Sequence, residues 1–359
     1  MNQVKTLSFA GQNIYCGIDV HKKNWSVCIR DENFELKTFV QPPKAEVLVD
    51  FLHRNYPLAS YQAVYEAGFS GYWAQRALTQ QGVTCLIVHP ADVPTTDKDR
   101  QQKTDRVDCR KLALALSDKR DKGMKSIHIP SEQLVDDRGM LRTRQQLVQD
   151  QTRYKNRILS WLSFYGLEIP EGYKNSSHFS NKFIIWLEHL QLSCSAKASL
   201  QLKVDTLKQI RSQLLQANRH VRHLAGSDFY KDLVVLLRSI PGIGLINAMI
   251  FLTELGEVKR FKNLDKLCNY VGLTPNIYSS DETVHINGIT HRCNHILREA
   301  LIESAWCTVR KDPALLMAYK EYVKRMNYNK AIIKIAKKLL NRIRYVLLHQ
   351  IRYVSGVVQ

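Results

Sequence analysis

At 359 residues the chain is too long for one small core and suits two or three domains of roughly 150 residues each. Its 45% hydrophobic content and mean hydropathy of −0.28 describe a globular chain, and no apolar run reaches the roughly 18 residues needed to cross a bilayer. Fifty-two Lys and Arg against 33 Asp and Glu leave a net charge of +19. That excess favours a polyanionic partner, because each phosphate met by a cation releases condensed counterions. A ribosomal or membrane-surface protein would share the number, so charge narrows the partner class without naming it. The first residues, MNQVKTLSFAGQNIYCGIDV, carry one Lys and no apolar core ending at a small-residue cleavage site. A cytoplasmic location is expected.

Residues 13–90 read as alternating strands and helices. Residues 14–20 (IYCGIDV), 25–30 (WSVCIR) and 35–40 (ELKTFV) are β-rich runs of hairpin length. A helix is expected from Pro43 to about Tyr56, a strand over 61–67, a helix closed by Gly82, and a buried strand over 83–89. Three strands in a meander followed by αβαβ make an α/β sheet of mixed pattern. A helix from about Asp105 to Ser117 completes this part. Over about 131–225 glycine becomes scarce, and two long runs space Leu, Ile and Val at threes and fours. They predict an antiparallel helical hairpin of coiled-coil type, suited to self-association, with a plain helical linker as the alternative. From about Phe229 the chain turns globular and mostly helical again, ending in a basic helix that carries Lys334, Lys337, Lys338, Arg342 and Arg344. Those cations form either a solvated face or a phosphate contact. The expected boundaries are 12–128, 129–227 and 228–359.

The eight cysteines contain no CxxC pair and read as reduced thiols, some of them buried inside strands. The segment His291-Arg-Cys-Asn-His295 lacks a second ligand pair at zinc spacing and reads as the start of a helix. Carboxylates offer more. The first strand ends in Gly17-Ile18-Asp19 and a later one in Tyr65-Glu66-Ala67, although an unpaired acid at a buried strand end is costly. Asp105 and Asp108, at i and i+3, share one face at a helix N-terminus, where the helix dipole favours negative charge. Together these four side chains make a cage for Mg²⁺, an ion that takes oxygen ligands and leaves positions for phosphate. Singly each has a plainer reading: Asp108 pairs with Arg106 or Arg110, and Glu66 caps the following helix.

Two further stretches stand out. Pro241-Gly242-Ile243-Gly244 precedes a helix, as in a helix-hairpin-helix contact, where glycine lets backbone N–H groups approach a phosphate. A tight interhelical turn explains it equally well. Leu273-Thr274-Pro275 then leads to Ser279, Ser280 and Asp281, a β-like run TVHINGIT, and a helix from His291. Composition alone makes these ordinary loop serines.

The segments GIDVHKKNWSVCI, YEAGFSGYWAQRAL and KTDRVDCRKLA resemble the three acidic motifs of the DEDD transposases of insertion-sequence family 110, relatives of the Piv-type DNA invertases. The match is close at Asp19 to Lys22 and at the Lys103–Asp105 spacing. The resemblance implies a RuvC-like, RNase-H-like N-terminal domain with Asp19, Glu66, Asp105 and Asp108 holding Mg²⁺. The later region is similar to that family's C-terminal transposase domain: Leu273-Thr274-Pro275, a serine, then Gly288-Ile289-Thr290, Asn294 and Leu297-Arg298. Carried across, Ser280 is the implied nucleophile and Ser279 the alternative. Two positions depart from the pattern: Asp281 stands where glycine is usual, and Cys293 replaces the glycine before Asn294. Asp281 would act as a local base or repel phosphate. Arg292 and Arg298 offer planar forks for clamping phosphate, or serve as surface and capping residues. The family further implies DNA ends and a target as substrates and a noncoding guide RNA, while the helical hairpin points to assembly as a dimer or tetramer. The rivals are a structure-specific Mg²⁺ nuclease of the junction-resolvase type, a non-catalytic nucleic-acid scaffold, and a Piv-like invertase without guide RNA.

Overall fold

The computed structural model describes residues 8–93, 104–118, 124–173, 179–280, 283–290 and 292–356. The chain divides into two compact units, residues 1–129 and 130–359. In the first, β1 (Asn13–Val20), β2 (Trp25–Arg30) and β3 (Glu35–Gln41) form an antiparallel meander. Helix α1 (Ala45–Asn55) then carries the chain to β4 (Ser60–Glu66), which lies parallel to β1. Helix α2 (Trp73–Gln80) leads to β5 (Thr84–Val88), parallel to β4, giving the sheet order β3-β2-β1-β4-β5. The mixed α/β sheet expected from the sequence is present, with element ends moved by a residue or two.

Side chains alternate across a strand, so the sheet has two distinct faces. Ile14, Cys16, Ile18 and Tyr65 pack on Leu48 and Leu52 of α1 and Ala74 and Leu78 of α2. The opposite face receives α3 (Asp105–Ser117), whose Leu112 meets Val64 and Val88 while Cys109 and Ala113 meet Cys28. Gly17 lies under this helix. A Cβ there would stand 2.0 Å from the Cys109 carbonyl oxygen and 2.4 Å from the Ala113 nitrogen. Only glycine lets α3 settle on β1.

The second unit begins with α4 (Glu132–Phe164) and α6 (Cys194–Ala225), the two long helices expected from the sequence. They run antiparallel: Leu141 near the start of α4 shares a core with Val221 and Ala225, and Ile158 and Leu162 pack on Leu200, Val204 and Leu207. The sequence reading placed no helix between them. The structure has one, α5 (Asn181–Glu188), capped by the Ser180 side chain, and its Phe183, Ile184 and Leu187 join that far core. Eight residues span barely two turns, too few for periodicity to stand out from a loop.

The rest of the unit comprises α7 (Lys231–Arg238), α8 (Leu245–Leu255), α9 (Leu264–Val271), β6 (Pro275–Ser280), β7 (Thr283–Ile289), α10 (His295–Val309), α11 (Pro313–Val323) and α12 (Tyr328–His349). Every residue of α8 from Ala248 to Leu255 is buried, which makes it the central helix of this core. Two cations of basic α12 are turned to internal use: Lys337 pairs with Asp265 at 3.4 Å and Arg342 with buried Asp312 at 3.4 Å. Among the described residues no helix is long and apolar enough to cross a membrane.

The turn between α7 and α8 separates the two glycines of its motif. Gly242 has φ +94°, and a Cβ on it would lie 2.5 Å from Thr308 Oγ1 and 2.6 Å from Thr308 N, so the turn presses directly on α10. Gly244 caps α8 with open space around its Cα. Gly242→Ala is expected to destabilise the protein by about 3 kcal/mol or more, through overlap with the Thr308 backbone and a positive φ, whereas Gly244→Ala loses only N-cap preference, about 0.5–1 kcal/mol. Thermal denaturation of the two variants side by side measures the difference.

Candidate metal centre and serine hairpin

In the first unit, the alternation that turns Gly17 towards α3 also turns Asp19 to that face, at the C-terminal end of β1. Ile18 pairs with Tyr65 on parallel β4, so Glu66 stands next to Asp19 on the neighbouring strand, on the side where Val64 meets α3. The first turn of α3 supplies Asp105 and Asp108. The four carboxylates singled out in the sequence thus come from two adjacent strand ends and one helix start.

Within that group the tightest set is a triple. Ligand atoms of Asp19, His21 and Asp105 all lie within 4.8 Å of one another, with His21 Nε2 3.0 Å from Asp19 Oδ2 and 3.5 Å from Asp105 Oδ2. Glu66 and Asp108 fall outside this triple. Asp108 accepts from Lys111 at 3.4 Å, not from Arg106 or Arg110, and Arg110 instead pairs with Glu35 at 2.9 Å. Burial raises the carboxyl pKa of Asp19, and the negative charges of Asp105 and Asp108 push the same way, against the lowering effect of His21. A cation among these groups would reverse that direction. The donor set fits a divalent ion: with metal–ligand bonds of about 2.1 Å, neighbouring ligands in an octahedron lie roughly 3.0 Å apart. His21 entered the sequence reading only as part of the motif match at Asp19 to Lys22 and not as a ligand, although an imidazole two residues beyond a strand-end carboxylate was a legible signal.

In the second unit, β6 and β7 form an antiparallel hairpin in which Ser279 faces Val284 and Ser280 faces Thr283, the last pair before the turn. The sequence reading treated the serines as loop residues; β-prone Ile277 and Tyr278 instead carry the strand up to them. Asp281 lies outside the described residues. At the base of the hairpin, Thr290 N–H donates to Thr274 O at 3.0 Å. Arg298 Nη1 donates to Thr290 O at 2.8 Å and to Gly272 O at 3.4 Å, clasping both strands where they enter the fold. Arg292 is exposed, and its backbone N–H donates to Thr290 Oγ1 at 3.2 Å.

Beneath the hairpin lies a buried charge that the sequence reading missed. Glu254 of α8 is 1% exposed. It takes the Arg142 guanidinium in two bonds of 2.8 and 3.0 Å, and Arg138 stands 3.5 Å away. Asn294 caps α10 by accepting from Leu297 N–H and donates its side-chain amide to Glu254 at 2.6 Å. Tyr270 O–H donates to the Glu254 carbonyl. An acid inside the apolar run LINAMIFLTEL was the available clue, since such residues are rarely buried without partners. Beside the start of α8, a cavity of about 420 Å³ gathers Gly244 and Asn247 with Arg144, Asn218 and Arg222 of the helical hairpin and Glu303 of α10.

Comparison with known proteins gives the chain a family. Residues 16–166 match the DEDD transposase family of IS110 type, and residues 234–320 match the transposase IS116/IS110/IS902 family. Together the two matches span about two thirds of the chain. The candidate transposase y4rJ of Sinorhizobium fredii is 28% identical over 77% of this chain and 74% of its own. The transposase for insertion sequence element IS1533 of Leptospira borgpetersenii is 26% identical over 70% and 72%. That for IS1111A of Coxiella burnetii is 25% identical over 80% and 78%. Both ends of the match fall on the structures just described, the acidic strand ends and the helices that root the serine hairpin. The chain belongs to the IS110-type DEDD transposases, enzymes that bind and transpose DNA.

Proposed function

We propose that the protein cuts and rejoins DNA at the ends of an insertion sequence through a covalent serine–phosphodiester intermediate, with Asp19, Glu66, Asp105 and Asp108 holding Mg²⁺. The observation that carries the metal half is the convergence of these carboxylates at one end of one sheet, where burial raises the carboxyl pKa of Asp19 and the charges of Asp105 and Asp108 add to that rise. The strand order 3-2-1-4-5, with the first three strands antiparallel, supports a RuvC-like, RNase-H-like reading of this unit. When bound, the ion supplies positive charge that stabilises the attacking and leaving oxygens of a phosphodiester displacement.

Ser280 is the proposed nucleophile, with Ser279 the alternative. Its hydroxyl loses a proton to a base, its oxygen bonds to phosphorus, and the displaced deoxyribose oxygen leaves as a hydroxyl. Attack by a hydroxyl of another strand reverses the step and returns the serine. The bond energy is kept in the intermediate, so rejoining needs no external energy source. Arg298 fixes the base of the hairpin that carries the serine. Gly244, Arg292 and the open cavity beside α8 are proposed phosphate contacts. Gly242 and Arg298 serve such a contact only indirectly, the first by seating the turn against Thr308 and the second by spending its donors on backbone carbonyls.

A net charge of +19 suits a second polyanion besides DNA, and a noncoding guide RNA is the proposed partner. The helical hairpin, with Leu202 and Leu215 of α6 exposed, is the proposed self-association element of a dimer or tetramer.

The decisive experiment traps adducts on nicked suicide DNA substrates carrying the element ends. Wild-type protein is expected to give a covalent DNA adduct that Ser280→Ala abolishes, and Asp19→Asn is expected to slow adduct formation by about 10²-fold or more. Cleavage persisting in Ser280→Ala without any adduct would point to a junction-resolvase type of nuclease. Loss of the adduct only in Ser279→Ala would move the nucleophile by one residue. Full recombination by the Asp19→Asn, Ser280→Ala double variant would leave only a binding scaffold, and RNA-independent recombination would make the enzyme a Piv-like invertase.

A further inference from the structure

We infer that His21 is a direct ligand of the divalent ion, through Nε2, and that this nitrogen turns the site towards Mn²⁺ in preference to Mg²⁺. The inference rests on the proposed metal-binding role of the carboxylates and adds a fifth residue and an ion preference to it.

The argument starts from placement. β1 ends at Val20, paired with Trp25, and the chain turns at once into β2. His21 N–H donates to Asn24 O at 3.0 Å, which closes that turn and fixes the histidine backbone one step beyond the strand. The imidazole is therefore held by a short hairpin and not by a long loop. It is half-exposed, and it reaches back over the strand end to the face that carries Asp19. Nε2 sits between two carboxylates from different elements, 3.0 Å from Asp19 and 3.5 Å from Asp105, residues 86 positions apart in the chain.

Those separations match adjacent corners of one coordination octahedron, for which ligand–ligand edges of roughly 3.0 Å follow from bonds of about 2.1 Å. A simple ion pair between His21 and Asp19 would account for the first distance alone. The second brings in α3, so the imidazole stands where it shares an ion with both acids. Chemistry then sets the preference. Mg²⁺ takes oxygen ligands and keeps its waters, whereas imidazole suits first-row transition ions. A set of carboxylates with one ring nitrogen binds Mn²⁺ more tightly than an all-oxygen set of the same charge, and gains little for Mg²⁺.

The test uses the full chain and the two ions alone, without DNA. Isothermal titration of wild type, His21→Asn and His21→Gln with MnCl₂ and with MgCl₂ gives the affinities. Pulsed electron paramagnetic resonance of the Mn²⁺ complex reports whether a ¹⁴N nucleus is bonded to the ion. The expected result is a directly coordinated ¹⁴N in wild type that is absent in both variants. Mn²⁺ affinity should fall by at least roughly tenfold, the low end of what losing even a supporting partner costs a metal site. Mg²⁺ affinity should change far less, because the replacement amides offer oxygen in place of nitrogen. Mn²⁺ bound to wild type with no ¹⁴N coupling, or an unchanged Mn²⁺/Mg²⁺ ratio in the variants, overturns the inference and leaves the carboxylate site standing. Wild-type protein that binds neither ion, as Asp19→Asn is expected to do, overturns the carboxylate site as well.

Discussion

Replacement of Gly17 by alanine is expected to destabilise the N-terminal unit severely and to weaken its metal centre in the same stroke. The new methyl group would sit 2.0 Å from the Cys109 carbonyl oxygen and 2.4 and 3.0 Å from the Ala113 nitrogen and Cα. All three are backbone atoms of α3, so no rotamer change relieves the overlap. Either the helix lifts off the sheet, breaking the Val64, Val88 and Leu112 contacts, or β1 bends away from β2 and β4. Overpacking with side-chain relief costs about 1–3 kcal/mol, and a backbone clash belongs at or above the top of that range. For a unit of this size that corresponds to a fall in Tm of roughly 10 °C. Asp105 and Asp108 ride on the same helix, so whatever fraction folds should bind divalent ions more weakly. Gly68→Ala is the control: its nearest neighbour would be the Glu66 carbonyl oxygen at 4.0 Å, and it should leave both Tm and metal affinity unchanged. A Gly17→Ala protein as stable as wild type would mean that α3 does not lie against β1.

The second large effect concerns Glu254. Truncation to alanine removes the partner of the Arg142 fork and the acceptor for Asn294, and it leaves mostly buried Arg138 without its nearest carboxylate. Breaking a buried ion pair from one side costs about 3–5 kcal/mol, because the opposite charge stays behind uncompensated. Arg142 is 48% exposed and regains some hydration, which places the expected loss at the lower end. Arg142→Ala alone should therefore cost less than Glu254→Ala, and the double variant should cost less than the two summed, giving a coupling of the order of 1–3 kcal/mol. Urea denaturation of the four proteins closes the cycle. Because Asn294 caps α10 and stands beside the base of the serine hairpin, Glu254→Ala should also speed hydrogen exchange across β6 and β7. Additive losses with unchanged exchange would show that Glu254 supports the core but not the hairpin.

Much of the fold follows from local pattern. The strands at 13–20, 25–30 and 60–66 announce themselves by β-branched and aromatic residues, and α3 by its acidic first turn and apolar period. The long helices α4 and α6 repeat their apolar spacing over 33 and 32 residues, enough for the period to rise above noise. Short α5 has no such length, and the strand character of the serine segment was obscured by the polar residues that end it.

The candidate sites divide along the same line. Asp19, Glu66, Asp105 and Asp108 are visible as acids in places where packing alone would not put them, a property of residue type and position within an element. What the chain did not disclose was which groups meet. His21 reaches Asp105 across 84 residues, Arg142 reaches Glu254 across 112, and Arg298 secures a carbonyl 26 residues earlier.

The sequence by itself determined the alternation of strands and helices, the excess of positive charge, and the strand ends and helix start that carry acid. Periodicity and residue chemistry are local, and each residue carries them wherever the chain goes. Only the tertiary structure decided that α3 presses on Gly17, that an imidazole stands between two carboxylates, and that Gly242 is occupied by Thr308 while Gly244 stays open. Those facts depend on distances of a few ångströms between elements, which close packing sets and no single segment contains.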